Sequence, residues 1–274
     1  MSHTSTLNIS VLQLCSTDHP SENQKNILKL LEKVPSETQV VFLPENSLYM
    51  KLGEKSPTYH FQNTDSIYEP FREWSSQRQC HLLFGANPVS ANGGGVKNAT
   101  VWVKPSGQVE DVYSKIHLFD VDVEGHKPVR ESDQFIHGST PKVIDICGWK
   151  LGLSICYDLR FSELYQIYAK QEVDIIAVPA AFLVPTGSAH WHVLLRARAI
   201  ESQAFVVAAA QAGTHLGTHE QKRETYGHSL VVDPWGRVLI DMETKNWQVA
   251  NLTLDCSALR QVRAQIPMSR HRRL

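Results

Sequence analysis

Cys156 holds the most chemical promise in this 274-residue chain. It closes the apolar run Lys150-Leu-Gly-Leu-Ser-Ile and opens the polar stretch Tyr157-Asp-Leu-Arg-Phe161, so a buried strand delivers a thiol into a charged loop. Free cysteine is more often a small packing residue than a reagent. A nucleophile also needs a base to take its proton and a cation or hydrogen-bond donor to hold the oxyanion its attack creates. None of the 13 histidines sits in a papain-like or caspase-like local pattern, so no Cys-His pair can be named. The better candidates are carboxylates and a lysine. Glu45 follows Leu43-Pro44 where an apolar stretch stops, Lys115 lies in Tyr113-Ser-Lys-Ile-His-Leu-Phe-Asp120, and Glu131 lies in Arg130-Glu-Ser132. Each alone reads as an ordinary solvated charge. A thiol with a pKa of about 8.5 is only a few per cent thiolate at neutral pH, so a carboxylate that accepts its proton on attack raises its effective reactivity. A lysine favours thiolate and oxyanion alike.

Such groups must be brought together by regular elements. Residues 7–14 alternate like a strand, 20–32 place Ile27, Leu28, Leu30 and Leu31 at helical spacing, and 39–43 form a short apolar strand that stops at Pro44-Glu45. The pattern recurs with a helix over 65–79, a strand over 80–84, a Gly93-Gly-Gly95 turn, a strand over 98–104, and a Pro105-Ser-Gly107 hairpin turn into 108–113. The second half repeats the rhythm: strand 150–155, helix 162–170 with Ser162 as its N-cap, strand 174–178 and a long helix over 188–203. Strands over 205–209 and 228–233 follow, then a Pro234-Trp-Gly236 turn into 237–241, and a last strand and helix from Val249. This alternation predicts an α/β protein with mixed sheets, folded as a single domain over residues 1–274. Ligands in such folds gather at the carboxyl ends of strands, where Glu45, Cys156 and Pro179-Ala-Ala-Phe182 all fall.

Composition narrows the partners. Lys+Arg 27 against Asp+Glu 28 gives a formal net charge of -1, with no overall field to draw nucleic acid or an anionic membrane. The basic Arg270-His-Arg-Arg273 lacks the aromatic interleaving that stacks on bases, and reads as a solvated tail or an interface contact. The first twenty residues show no charged segment followed by an apolar one, and no stretch approaches the roughly 20 apolar residues that span a bilayer. Five scattered cysteines without a C-x-x-C pair argue against a disulfide framework or a structural zinc site, and fit a reducing, cytoplasmic setting.

Three blocks occur in a familiar order: Leu43-Pro44-Glu45, Ser114-Lys-Ile-His-Leu-Phe-Asp120 and Ile155-Cys-Tyr-Asp-Leu-Arg-Phe161. They resemble the signature blocks of the nitrilase superfamily of carbon-nitrogen hydrolases, and the resemblance covers essentially the whole chain. It implies a four-layer αββα sandwich with a Glu-Lys-Cys triad, no metal or organic cofactor, and a homodimer or higher homo-oligomer that extends the layers. By position, the resemblance makes Glu45 the general base, Lys115 the stabiliser of the oxyanion, and Cys156 the nucleophile of a thioester mechanism. Glu131 matches a second glutamate that holds Lys115 and the substrate amide. Residues 189–192, 195–203, 206–211 and 226–236 are similar to the branch that hydrolyses deaminated glutathione to α-ketoglutarate and Cys-Gly, related to the Fhit-fused nitrilase-like proteins. The omega-amidases acting on α-ketoglutaramate share much of this pattern, but segment 211–226 is closer to the first branch. A non-catalytic scaffold with a vestigial site is the alternative of another class. It would have little reason to keep Glu45, Lys115, Cys156 and Glu131 together.

A small-molecule amide is therefore the expected partner, and further residues are candidates to bind it. The backbone N–H of Tyr157 follows the nucleophile and is a second oxyanion donor. Arg160 suits bidentate capture of a substrate carboxylate, against a structural salt bridge to Asp158 or a helix carboxylate. Phe182 can wall the pocket over the substrate's carbon chain, or simply pack in the core. Thr186 and His190 follow in the same strand-to-helix connection. His190 and His192 flank Trp191, but at i, i+2 on a helix they face different directions and do not share an ion; His190 reads as a polar lid or helix-start residue. Arg196, Arg198 and Glu201 are expected to form an ionic network.

Overall fold

The structure is a computed structural model that describes residues 5–122 and 128–273; residues 1–4, where the stretch read for a leader begins, lie outside them. In chain order its strands are β1 (Thr6–Gln13), β2 (Val40–Glu45), β3 (His81–Ser90), β4 (Val96–Val103), β5 (Val109–Ser114), β6 (Asp120–Val121), β7 (Val129–Arg130) and β8 (Lys142–Ile146). They continue as β9 (Trp149–Leu153), β10 (Ile175–Ala177), β11 (Phe205–Ala208), β12 (Ala212–Leu216), β13 (Lys222–Tyr226), β14 (Leu230–Val232), β15 (Val238–Asp241) and β16 (Gln248–Asp255). The helices are α1 (Pro20–Leu31), α2 (Glu69–Arg78), α3 (Ser162–Lys170), α4 (Val184–Ser202), α5 (Cys256–Gln265) and α6 (Met268–His271).

Among the described residues, two six-stranded mixed sheets dominate, in the orders β16-β1-β2-β3-β4-β5 and β15-β14-β11-β10-β9-β8. Each has three parallel strands at its centre, β1-β2-β3 and β9-β10-β11, with antiparallel strands outside them. Central parallel strands are covered on both faces and so read as unbroken apolar runs. The six residues of β2 are all buried, including the Glu45 that ends it.

The alternation of side chains along the strands makes four layers. From the first sheet Ile9, Val11, Val40, Phe42 and Leu83 pack into the core shared with Leu151, Leu153, Ala177 and Val207 of the second sheet. Their neighbours Leu12, Val41, Leu43, Leu82 and Phe84 point the other way, against Ile27, Leu30 and Leu31 of α1 and Phe71 of α2. Leu164, Tyr165 and Tyr168 of α3, with Trp191, Leu195 and Ala199 of α4, belong to the core on the second sheet's side. Full burial of each such side chain contributes about 1.5–3 kcal/mol, which makes the αββα sandwich the arrangement that shelters both faces of both sheets.

Several elements depart from expectation. β3 continues to Ser90 rather than stopping at Phe84, because a register shift between Phe84 and Asn87 absorbs the break that Gly85 and Pro88 suggest. α4 starts at Val184, before the expected 188, with Pro185 in its first turn where a missing N–H costs nothing. Ser162 is the first residue of α3 rather than its cap; Phe161 holds the N-cap position, without a side-chain capping bond. Strand β8 and the β12-β13 hairpin are additional to the expected elements.

Gly85 marks the closest approach between layers. A Cβ built there would lie 2.1 Å from the Cβ of Pro179, 2.4 Å from the carbonyl oxygen of Leu43 and 2.7 Å from the carbonyl carbon of Pro44. These are the ends of β2 and the segment after β10, which carry Glu45 and Ala181. Gly85→Ala is expected to destabilise the fold by about 1–3 kcal/mol or more, read as a lower urea midpoint.

Candidate active site

Glu45 is the last residue of β2, and Lys115 follows directly after β5, its backbone N–H donating to the Asn98 carbonyl at 2.9 Å. Glu131 opens a short 3₁₀ turn after β7, and Cys156 opens another, spanning Cys156–Arg160. Strand β9 ends at Leu153, so the thiol sits in the turn beyond the strand rather than at its last residue.

The four side chains converge. The Lys115 ammonium, 2 % exposed, donates to Glu45 Oε1 at 3.0 Å and to Glu131 Oε1 and Oε2 at 3.0 and 2.8 Å. Each carboxylate has further donors. Glu45 Oε2 accepts from the Ala181 backbone at 3.1 Å, and Glu131 Oε2 from the Phe119 backbone at 2.6 Å. The Asn98 side-chain amide bridges the pair, donating at 3.1 Å to Glu45 Oε1 and at 3.0 Å to Glu131 Oε1. Asn98 was not a sequence candidate. Its position beside the acids follows from the β4 to β5 pairing that sets it opposite the end of β5, a register no local motif reveals.

Burial alone would pull the Lys115 ammonium toward neutrality, but the Glu131 and Glu45 carboxylates overcome it and hold its pKa well above the ordinary lysine value. Cys156 moves upward for related reasons. Burial and the Glu45 carboxylate raise the thiol's pKa well above the usual value, against opposing contributions from Lys115 and the Ala181 backbone. The Cys156 thiol thus holds its proton more tightly than an ordinary cysteine does, with a carboxylate beside it.

Cys156 also has φ of 47°, in the left-handed region that non-glycine residues rarely adopt. Such a conformation costs on the order of 1–3 kcal/mol and persists only where surrounding contacts impose it. They are visible here. The Cys156 N–H donates to the Pro179 carbonyl at 2.9 Å. Two residues on, the fully buried Asp158 carboxylate accepts from Ile155 N at 3.0 Å, the Tyr113 hydroxyl at 2.7 Å and His117 N at 2.9 Å, and pairs with His117 Nδ1 at 2.7 Å. Asp158 therefore ties the nucleophile's turn to the loop that carries Lys115. His117 is further fixed by stacking on Phe161, with ring centroids 3.6 Å apart.

A cavity of about 420 Å³ opens over these groups, within the usual size range for small-molecule sites. Glu45, Lys115, Glu131, Cys156, Tyr157, Arg160, Phe182 and Thr186 all line it. Arg160 does not pair with Asp158, whose oxygens are already taken. Its guanidinium lies 5.3 Å from the Phe182 ring centroid and 5.7 Å from that of Tyr157, and its Nη1 is 3.1 Å from His190 Nδ1. His190 is exposed, lies inside α4 rather than at its start, and is not part of the cavity wall; it meets the site only through Arg160. Arg198 pairs with Glu201 at 2.6 Å, whereas Arg196 instead donates to the Gly236 carbonyl. His192 lies near His228 and Asp241, outside the cavity, where each imidazole pairs with one oxygen of that carboxylate.

A cysteine, two glutamates and a lysine thus meet in one cavity at one end of an αββα sandwich. Residues 8–264 match the carbon-nitrogen hydrolase family, and this chain belongs to it as an amide-hydrolysing enzyme. It is 34 % identical over 270 residues to a deaminated glutathione amidase of Yersinia enterocolitica, covering 97 % of this chain and 93 % of that protein. The human deaminated glutathione amidase is 35 % identical over 275 residues, covering 97 % of this chain and 82 % of its own. The crystal structure of the Caenorhabditis elegans NitFhit protein superposes with a TM-score of 0.86 at 32 % identity, covering 99 % of this chain and 66 % of that one.

The thiol's high pKa has a testable cause. Glu45→Gln removes the negative neighbour that keeps Cys156 protonated, so the ultraviolet thiolate absorbance of Cys156, with Cys156→Ala as the blank, is expected at lower pH than in wild type. An unchanged or higher midpoint would contradict this assignment.

Proposed function

We propose that this protein hydrolyses a small-molecule amide through a thioester on Cys156, and that its substrate is deaminated glutathione. The observation that carries the mechanism is the Glu45 carboxylate, which is held by Lys115 and lies beside a neutral thiol at the base of the cavity. Cys156 Sγ attacks the amide carbonyl carbon as Glu45 takes the thiol proton. Lys115 and the Tyr157 backbone N–H hold the oxyanion. The carbon–nitrogen bond then breaks as Glu45 gives its proton to the departing amine, leaving a thioester. Glu45 deprotonates a water that attacks the thioester, and the proton returns to the Cys156 sulfur as the acid leaves. Glu131 positions the Lys115 ammonium throughout, and no metal or organic cofactor takes part. With deaminated glutathione the amine is Cys-Gly and the acid is α-ketoglutarate. The names of the relatives and the cation Arg160 beside the nucleophile support this substrate.

The reading extends to the whole chain as one catalytic domain. Its support is the pairing of β16 with β1, which joins the end of the chain to its beginning. A homodimer is supported by apolar side chains left in solvent on α4, on the turn after β14 and on β15: Val193, Ile200, Trp235, Val238 and Leu239. A patch of that kind marks an association surface. Among the described residues no helix is long and apolar enough to cross a membrane, and the cysteine thiols, none of them in a disulfide, suit a cytoplasmic enzyme.

Three measurements test this. Intact-mass analysis after rapid quenching with a slow amide is expected to show an acyl adduct on the wild type and none on Cys156→Ala, which loses activity; full activity in Cys156→Ala would sink the mechanism. In a substrate panel, kcat/KM is expected to be higher for deaminated glutathione than for α-ketoglutaramate. A preference of more than tenfold for α-ketoglutaramate would make the protein an omega-amidase instead. In sedimentation, wild type is expected as a dimer and Leu239→Asp as a monomer.

A further inference from the structure

The charges around the cavity do not balance locally. Lys115 is matched by Glu45 and Glu131, which leaves Lys51, Arg160 and Arg223 on the wall with Asp133 as the remaining acid. None of these three cations has a carboxylate within ion-pairing distance among the described residues. Arg223 is the most unusual. Its Nε is buried from solvent and has no hydrogen-bond partner, although an unsatisfied buried donor on a charged group costs roughly 1–3 kcal/mol or more.

The backbone around Arg223 is firmly held. Arg223 lies on β13, opposite His215 of β12. Near the hairpin's tip, Thr218 donates from its N–H and hydroxyl to the buried Asp18 carboxylate, which also accepts from Ser56 at 2.8 Å. Gln221 packs so closely on Gly53 that a Cβ there would meet it at 2.8 Å. These contacts join the hairpin to the segment after β2 that carries Lys51. Across the hairpin, burial lowers the pKa of His215 to about 4, with a smaller contribution from the Arg223 charge.

From this geometry we infer that Arg223, with Lys51, forms a second carboxylate-binding subsite in the cavity, separate from Arg160, which receives a carboxylate on the amine half of the substrate. Arg160 belongs to the nucleophile's own turn and suits the carboxylate of the acyl half. Arg223 and Lys51 come from different parts of the chain, and a rigid guanidinium on the cavity wall with no carboxylate partner is matched to a planar carboxylate. The inference rests on the amidase reading above and deepens it: a substrate that releases ammonia has nothing to place at this subsite, whereas one that releases a peptide ending in a carboxylate does. The chemical class is an N-acyl peptide with a free carboxylate at each end.

The test compares wild type with Arg223→Gln and Lys51→Met on deaminated glutathione, on its C-terminal carboxamide and on α-ketoglutaramate. The ratio of kcat/KM for deaminated glutathione to that for α-ketoglutaramate is expected to fall roughly 10- to 100-fold in Arg223→Gln, carried by KM, and less in Lys51→Met. Amidation of the terminal carboxylate is expected to cost wild type a similar factor and Arg223→Gln little. A ratio that stays at the wild-type value, or an amidation cost equal in both enzymes, overturns the subsite. A uniform loss on both natural substrates, with a lowered urea midpoint, assigns Arg223 a structural role and also overturns it. If wild type fails to cleave deaminated glutathione at all, the substrate reading itself fails, an outcome distinct from cleavage without dependence on Arg223.

Discussion

An ammonium taken wholly out of water must be neutralised where it lies, and Lys115 imposes that constraint on this protein. Losing one partner of a buried ion pair costs roughly 3–5 kcal/mol, so Glu45 and Glu131 are held by electrostatics as firmly as by backbone geometry. The two carboxylates come from segments far apart in sequence, the end of β2 and the turn after β7. Each must reach the ammonium and present its remaining lone pairs to Ala181 N, Phe119 N and the Asn98 amide. The sheet order, with β2 and β5 in one sheet and β9 and β10 in the other, brings those groups to one end of the sandwich.

The same arrangement sets the state of the nucleophile. In many thiol enzymes a nearby cation creates a standing thiolate. Here the cation is already shared between two carboxylates, one of them beside the sulfur, so burial and the negative neighbour prevail over Lys115. In the mechanism proposed above the proton therefore leaves the sulfur as it attacks, without a preformed anion, and a thiol in that state is a poor target for oxidation and alkylation, which follow thiolate character.

Much of this architecture was legible in the chain. The end of β2 at Glu45 and the turn after β9 at Cys156 were marked by apolar runs that stop at polar residues, and β2, β10 and β11 by short runs rich in Val, Ile and Ala. What escaped had a common physical origin in long-range pairing. Asn98 is an unremarkable strand residue until β4 and β5 align, and Arg223 lies on a hairpin whose polar composition, Lys-Arg-Glu-Thr-Tyr in β13, hides its strand character. β8, with the charged Lys142 and Asp145 in solvent, was obscured in the same way. His190 was misplaced for a local reason: Pro185 reads as a breaker, yet in the first turn of a helix it is a starter. The resemblance to the nitrilase superfamily pointed to Glu45, Lys115, Glu131 and Cys156, which the fold brings together, while the geometry alone displayed what holds them.

Asp158 ties the two loops bearing Lys115 and Cys156 through one carboxylate that has spent its oxygens on Tyr113, His117 and Ile155. The two loops are thereby one mechanical unit although His117 and Asp158 stand 41 positions apart in the chain. A chimaera with its junction between them unites halves shaped for different counterparts and leaves a buried carboxylate short of its partners at the seam.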